Sequence, residues 1–272
     1  MKRLGVLCLF LLGTHLFAEM RKDIEFGKVE GVSLKLDVFV PEGPGPFPTA
    51  ILVHGGGWEG GDKQTYITYI FEPLSQAGFT WFSIDYRLAP EHPFPAAVDD
   101  VRRAIRFVKE NAAEYKVDLD RLALIGESAG GHLVSYVGAR HDPRTAVNAV
   151  VSFYGIHDFV SFTAHHGGTQ KNMRQFLEVE RLKFDTVTKL IGASPIAYVN
   201  ASMPPFLFIH GSGDKSVPFQ QSVDMCDAMK AKGVSCEIIP VEGVHGMDHW
   251  EPDPKLHFYK QQMVDWLKKT LR

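Results

Sequence analysis

The pentapeptide Gly126-Glu127-Ser128-Ala129-Gly130 constrains this chain more than any other stretch. An apolar run, Leu122 to Ile125, leads into it, and Gly131, His132, Leu133, Val134 and Tyr136 follow. A strand, a Gly-x-Ser-x-Gly turn and a helix in succession make a nucleophile elbow. The serine sits on a tight turn, where a side chain at either flanking glycine would meet neighbouring backbone. Its hydroxyl then stands exposed above a sheet, with the positive end of the helix behind it to favour developing negative charge. A lone pentapeptide of this kind recurs by chance. Its meaning rests on which partners the rest of the chain supplies, and in what order.

The background is that of an ordinary globular protein. Of 272 residues, 45% are hydrophobic and 22% charged, enough for a sizeable core. A formal charge of −3 with no basic block argues against nucleic acid as a partner.

Two further motifs carry chemistry. Thr49 to Val53 reads as a central strand buried on both faces, and it runs into His54-Gly55-Gly56-Gly57-Trp58. Three glycines at a strand end are costly in backbone entropy. They make sense if N–H groups must approach a ligand, such as the oxyanion of a tetrahedral intermediate. Gly56 and Gly57 are the expected donors, with the Ala129 N–H completing the hole. Phe79 to Ile84 is the next buried strand, ending at Asp85-Tyr-Arg87-Leu-Ala-Pro-Glu91 and His92-Pro-Phe-Pro95. Asp85 and Arg87 are expected to form a structural network under the oxyanion loop, and His92 to be a loop histidine.

With these motifs in hand, the chain resembles the hormone-sensitive-lipase-like esterases of the α/β-hydrolase superfamily, from about Leu34 to the C-terminus. The resemblance implies a mostly parallel sheet with helices on both faces and an oxyanion hole at the glycine motif. Members of that branch often carry a helical N-terminal cap. Here few residues precede the first strand, an architecture closer to small secreted carbohydrate-ester esterases of the acetylxylan and feruloyl type.

The remaining partners follow in chain order. Pro205 to Ile209 reads as a strand entering His210-Gly-Ser-Gly-Asp214, and Val234 to Val241 as the last strand, followed by Glu242-Gly-Val-His245-Gly. Asp214 and His245 each occupy a loop past a strand and match the family's acid and base positions. His249 is the weaker candidate, four residues further on. Serine, acid, histidine is the α/β-hydrolase order. The expected chemistry is hydrolysis of short-chain or carbohydrate-linked acyl esters by Ser128, His245 and Asp214, with no metal and no cofactor. Two other functions fit such a scaffold. A peptidase of the prolyl-oligopeptidase type would tend to carry an aromatic after the serine, where Ala129 stands. A non-catalytic binding protein would have no need of both Ser128 and His245.

Other stretches support or surround this site. Val98, Val101, Ile105, Val108 and Ala112 predict an amphipathic helix from Ala96, with Asp99 and Asp100 suiting its dipole. Residues 155–199 read as a cap-like insertion, with a polar loop at His165-His166 and a helix from Lys171 to Phe184. No carboxylate or cysteine stands at a ligand-like spacing from the two histidines. Phe219, Val223, Cys226 and Met229 mark a helix, and Tyr259, Met263, Trp266 and Leu267 another at the C-terminus.

Residues 1–18 have a basic start at Lys2-Arg3, an apolar run from Leu4 to Leu12 and a small residue at Ala18. That is the pattern of a secretory signal peptide, so a single exported domain over residues 19–272 is expected, periplasmic or secreted and without a membrane anchor. Export leaves Cys226 and Cys236, either as a disulfide or as two buried thiols.

Overall fold

The computed structural model describes residues 18–140, 142–180 and 184–272, so most of the signal-like segment lies outside it. Among these described residues, eight strands form one sheet: β1 (Glu19–Val29), β2 (Val32–Val40), β3 (Phe47–Val53), β4 (Thr80–Ile84), β5 (Val117–Glu127), β6 (Ala149–Phe153), β7 (Phe206–Gly211) and β8 (Cys236–Val241). Their order is β1-β2-β4-β3-β5-β6-β7-β8. The first two strands pair antiparallel through the Glu30-Gly31 turn, β2 pairs antiparallel with β4, and every other pairing is parallel.

The central strands read as unbroken apolar runs because both faces are covered. Ile51, Val53, Leu122 and Leu124 point into one core, under α2 (Ala96–Glu110) and α3 (Ala129–Ala139). Ala50, Leu52, Ala123 and Ile125 point into the other, against α1 (Phe71–Gln76) and the C-terminal helix. Every residue of α3 is buried, which its glycines permit. A Cβ on Gly138 would press on Val150 and Phe206, and one on Gly131 on the Phe153 carbonyl.

The insertion after β6 holds α4 (Phe159–His165), α5 (Lys171–Leu177) and α6 (Phe184–Ala193). Two expectations change here. The stretch read as a polar loop begins as a helix, because the Asp158 carboxylate caps the Val160 N–H at 2.8 Å. The single helix expected from Lys171 to Phe184 stops at Leu177. There Glu178 turns left-handed at φ 50° and its N–H closes on the Arg174 carbonyl.

Then follow α7 (Gln220–Lys230), α8 (Met247–Trp250) and α9 (Phe258–Thr270). The inner face of α9 carries the expected Tyr259, Met263, Trp266 and Leu267. That of α7 is rotated from expectation. Gln221, Ser222 and Met225 are buried with Cys226 and Met229, while Val223 is only half-buried. Cys226 and Cys236 are joined as a disulfide between α7 and β8, with Cα atoms 5.7 Å apart. Among the described residues, no helix is long and apolar enough to cross a membrane.

Candidate active site

Ser128 occupies the turn between β5 and α3 at φ 52° and ψ −115°, a conformation an L-residue adopts only under constraint. The flanking glycines are explained by contact. A Cβ on Gly126 would meet the Gly130 carbonyl, and one on Gly130 the carbonyls of Val53 and His54. The turn is thus wedged against the end of β3, from which the glycine motif departs.

The structure brings together the three side chains that chain order singled out. Ser128 Oγ lies 2.9 Å from His245 Nε2, and His245 Nδ1 lies 2.6 Å from Asp214 Oδ2. A carboxylate only accepts, so Nδ1 carries the proton and Nε2 is left to accept from the serine hydroxyl. Asp214 is satisfied at both oxygens. Its Oδ1 accepts from the Ser216 and Val217 N–H groups, each at 2.9 Å. His210 Nε2 donates to the Val217 carbonyl at 2.9 Å and approaches Oδ2 at 3.4 Å. Burial pushes the Asp214 carboxyl up, but the His210 and His245 contacts outweigh it and hold the group well below the usual carboxylate range. His249 is turned away, its side chain largely exposed and 3.3 Å from Asp248.

The glycine loop after β3 is fastened from below and from the side. Gly56 and Gly57 take φ of 96° and 63°, and a Cβ on Gly56 would strike the Gly60 carbonyl. Among the described residues, neither amide donates to a backbone carbonyl, and both glycines border the cleft that holds Ser128. The Tyr86 hydroxyl donates toward the His54 and Gly55 carbonyls at 3.1 and 3.0 Å, and the Ala89 N–H bonds the Trp58 carbonyl. Asp85 and Arg87 do not pair with each other. Arg87 grips Asp100 through Nε and Nη2 at 2.8 and 3.0 Å, so Asp100 is a buried ion-pair partner rather than a dipole residue. Asp85 accepts from the Lys63 N–H instead. His92 is a loop residue 3.4 Å from Glu30.

Trp58 is the hinge between this loop and the cap. Its ring stacks on Phe176 of α5 at 4.6 Å, and its Nε1 donates to His132 Nδ1. His132 Nε2 then donates to the Ala193 carbonyl at the end of α6. Burial lowers the His132 pKa to about 4, so the ring stays neutral and keeps both roles.

Several residues in the site carried no sequence signal. Glu127 is buried beside the serine, its carboxyl pushed up to about 7 by burial, with His245, the Gly55 N–H and Tyr154 drawing it back. Its Oε1 has no hydrogen-bond partner. Tyr154 lays its ring edge-on to His245, centroids 4.7 Å apart, and its hydroxyl accepts from the Met247 N–H. Asn172 reaches from α5 to Gly57, and Tyr66 stands at the rim. Buried histidines, tyrosines and a motif's variable position look the same in sequence whether they serve a core or a site. Among the described residues, no cluster of His, Cys, Asp or Glu could hold a metal ion.

Comparison with known proteins finds relatives in sequence and in fold. Residues 36–229 match the BD-FAE family, a span that includes Ser128 and Asp214 and stops short of His245. The chain is similar to the probable carboxylic ester hydrolase LipM of Mycobacterium tuberculosis, at 31% identity over 196 residues, 68% of this chain and 46% of LipM. It spans about half the length of the curated relatives it matches. A truncated carbohydrate esterase from gut microbiota superposes with a TM-score of 0.80 at 24% identity, covering 94% of this chain and 97% of that one. The apo form of Thermogutta terrifontis esterase 2 gives 0.73 at 26% identity, covering 93% of each.

Proposed function

The chain belongs to the BD-FAE family, and on that premise we propose that it is a serine carboxylesterase acting on short-chain or carbohydrate-linked acyl esters. The observation that carries this reading is the continuous line from Ser128 Oγ through His245 to Asp214, built at the ends of three parallel strands. Relatives named as ester hydrolases support it.

The chemistry follows from the contacts. His245 Nε2 takes the Ser128 proton as Oγ attacks the ester carbonyl, and Asp214 holds the tautomer and stabilises the imidazolium. Negative charge on the carbonyl oxygen is met by the Gly56, Gly57 and Ala129 N–H groups. Losing one such donor typically costs about 3 kcal/mol of transition-state stabilisation. His245 then returns the proton to the leaving alcohol, and a water deprotonated by the same ring releases the acyl group from Ser128. The space beside Ser128 divides into a side next to Glu127, about 340 Å³, and a side walled by Trp58, Ile156 and Phe162, about 390 Å³, which leaves room for both halves of an ester. An N-terminus of signal-peptide pattern and the disulfide favour export to an oxidising compartment.

The test is a panel of p-nitrophenyl acetate, butyrate and octanoate, acetylated xylan, methyl ferulate and a proline-containing peptide amide, with wild type and Ser128→Ala. Cleavage of short or carbohydrate esters that disappears in the variant is the expected result. Peptide cleavage with all esters ignored, or no turnover by folded protein, would overturn the reading.

A further inference from the structure

The end of β5 lies between the ends of β3 and β6, which sets Glu127 between two loops. On one side is Gly55 of the glycine loop, where a Cβ would strike the Glu127 carboxyl. On the other is Tyr154, the residue after β6, wholly buried and held at φ 36°. A tyrosine in the left-handed region is strained, and such strain persists only where the surroundings fix it. Tyr154 meets the histidine loop twice. Its ring lies edge-on to His245, centroids 4.7 Å apart, and its hydroxyl accepts the Met247 N–H at 3.0 Å, two residues further on. We propose that Glu127 and Tyr154 are a pair of positioning residues for His245, in which the Glu127 carboxyl holds the Tyr154 hydroxyl and that hydroxyl holds the histidine loop. The pair rests on the esterase reading and extends it beyond the three residues of the triad.

Three observations support it. First, the hydroxyl accepts from Met247, so its own proton is left to donate, and the Glu127 carboxyl faces it as acceptor. Burial and the neighbouring Glu127 push the tyrosine well above its usual range, so the proton stays in place. The Gly55 N–H draws on the same carboxyl, which links the acid to the glycine loop as well. Second, the histidine loop needs a hold on this side. Gly246 turns the chain directly after His245 at φ 101°, where a Cβ would strike the Asp248 carboxylate. Before His245, the Val244 carbonyl accepts from Trp250 Nε1 at 2.8 Å. The bond from Met247 to Tyr154 is the matching hold after it. Third, Glu127 Oε1 has no hydrogen-bond partner in a residue only 3% exposed. An acid enclosed and partly unpaired is costly to the fold, and a role in placing the base accounts for it.

The experiment compares wild type with Tyr154→Phe, Glu127→Leu, Glu127→Gln and the Tyr154→Phe/Glu127→Leu double variant on p-nitrophenyl acetate, with melting temperatures taken in parallel. Tyr154→Phe keeps the ring against His245 and loses only the hydroxyl. Tyr154→Phe and Glu127→Leu should each lower kcat and kcat/KM together by about tenfold, since the base is needed in the transition state and not for binding. The double variant should lie within about twofold of the poorer single variant, because all three break one link. Glu127→Gln keeps a carbonyl to accept from Tyr154 and should stay within about threefold of wild type. Glu127→Leu should melt no lower than wild type, so that activity falls while stability does not. Losses that multiply in the double variant, equal losses from the Gln and Leu variants, or single variants as active as wild type would overturn the pair while leaving the esterase reading standing. So would a Glu127→Leu variant that melts far below wild type or does not fold, which would make the acid a residue of the fold alone. Absence of Ser128-dependent turnover in wild type would overturn both readings.

Discussion

Ser128, Asp214 and His245 each stand within four residues of the end of a parallel strand, whereas Asn172 reaches the same cleft from α5, a helix of seven residues whose Phe176 stacks on Trp58. The first group is placed by backbone. Ladder hydrogen bonds fix the strand ends, and glycines without room for a Cβ fix the turns. The second group is placed by side chains. Trp58 against Phe176, His132 on the Ala193 carbonyl and the Gln221 amide on the His157 and Asp158 N–H groups hold the cap down. On the proposed esterase reading, chemistry therefore sits on the part of the fold that tolerates least change. Substrate choice is then assigned to the part that is joined by a few exchangeable contacts.

That contrast can be broken most sharply at the triad. Ser128→Ala and His245→Ala should each lower kcat by about 10⁴-fold or more with little change in melting temperature, measured on p-nitrophenyl acetate and by calorimetry. A comparable loss from a cap substitution such as Asn172→Ala would erase the division of labour.

Next comes the turn itself. Gly130→Ala forces a Cβ into the Val53 and His54 carbonyls, so a loss of soluble folded protein or of several kcal/mol in urea unfolding is expected. Wild-type stability in that variant would mean that β3 and the elbow are not wedged together.

Trp58→Ala sharpens the other side. It removes a buried ring that stacks on Phe176 and donates to His132, worth about 3–5 kcal/mol. Limited proteolysis should then cut first within residues 155–199, and cleavage spread evenly along the chain would contradict the cap's separate anchoring.

A smaller effect is carried by pH. The folded Glu127 carboxyl titrates near 7 against an ordinary 4.5, because burial disfavours its charge. The neutral form therefore stabilises the fold fully below about pH 4.5, and that contribution is lost as pH rises to about 7. It amounts to about 3 kcal/mol at most. Urea unfolding at pH 5 and pH 8 should show Glu127→Gln gaining on wild type at the higher pH; a constant difference would contradict the buried-acid account.

How much of this was legible in sequence follows the same line. Ser128, Asp214, His245 and the glycine loop could be read because their chemistry needs particular residues after particular strands, and each strand announced itself as an apolar run. The cap could not. The stop at Glu178 depends on a left-handed turn at a residue with no glycine signal, and the start at Phe159 on an Asp158 cap that resembles any loop aspartate. Arg87 drew attention to Asp85, its neighbour in sequence, yet its partner Asp100 lies one helix away. His210 and Tyr154 support the triad from positions that read as strand-end core. Glu127 sat inside the motif at its variable place, and only the fold revealed that its Oε1 is buried and unpaired.

The most direct test of the central claim is covalent trapping. A serine made nucleophilic by His245 and Asp214 should displace fluoride from diisopropyl fluorophosphate, and peptide-mapping mass spectrometry would locate the adduct. The account predicts one phosphoryl group per chain, on Ser128, forming in step with loss of esterase activity and failing to form in His245→Ala. Full inactivation with Ser128 unmodified, or labelling that is indifferent to His245, would contradict it.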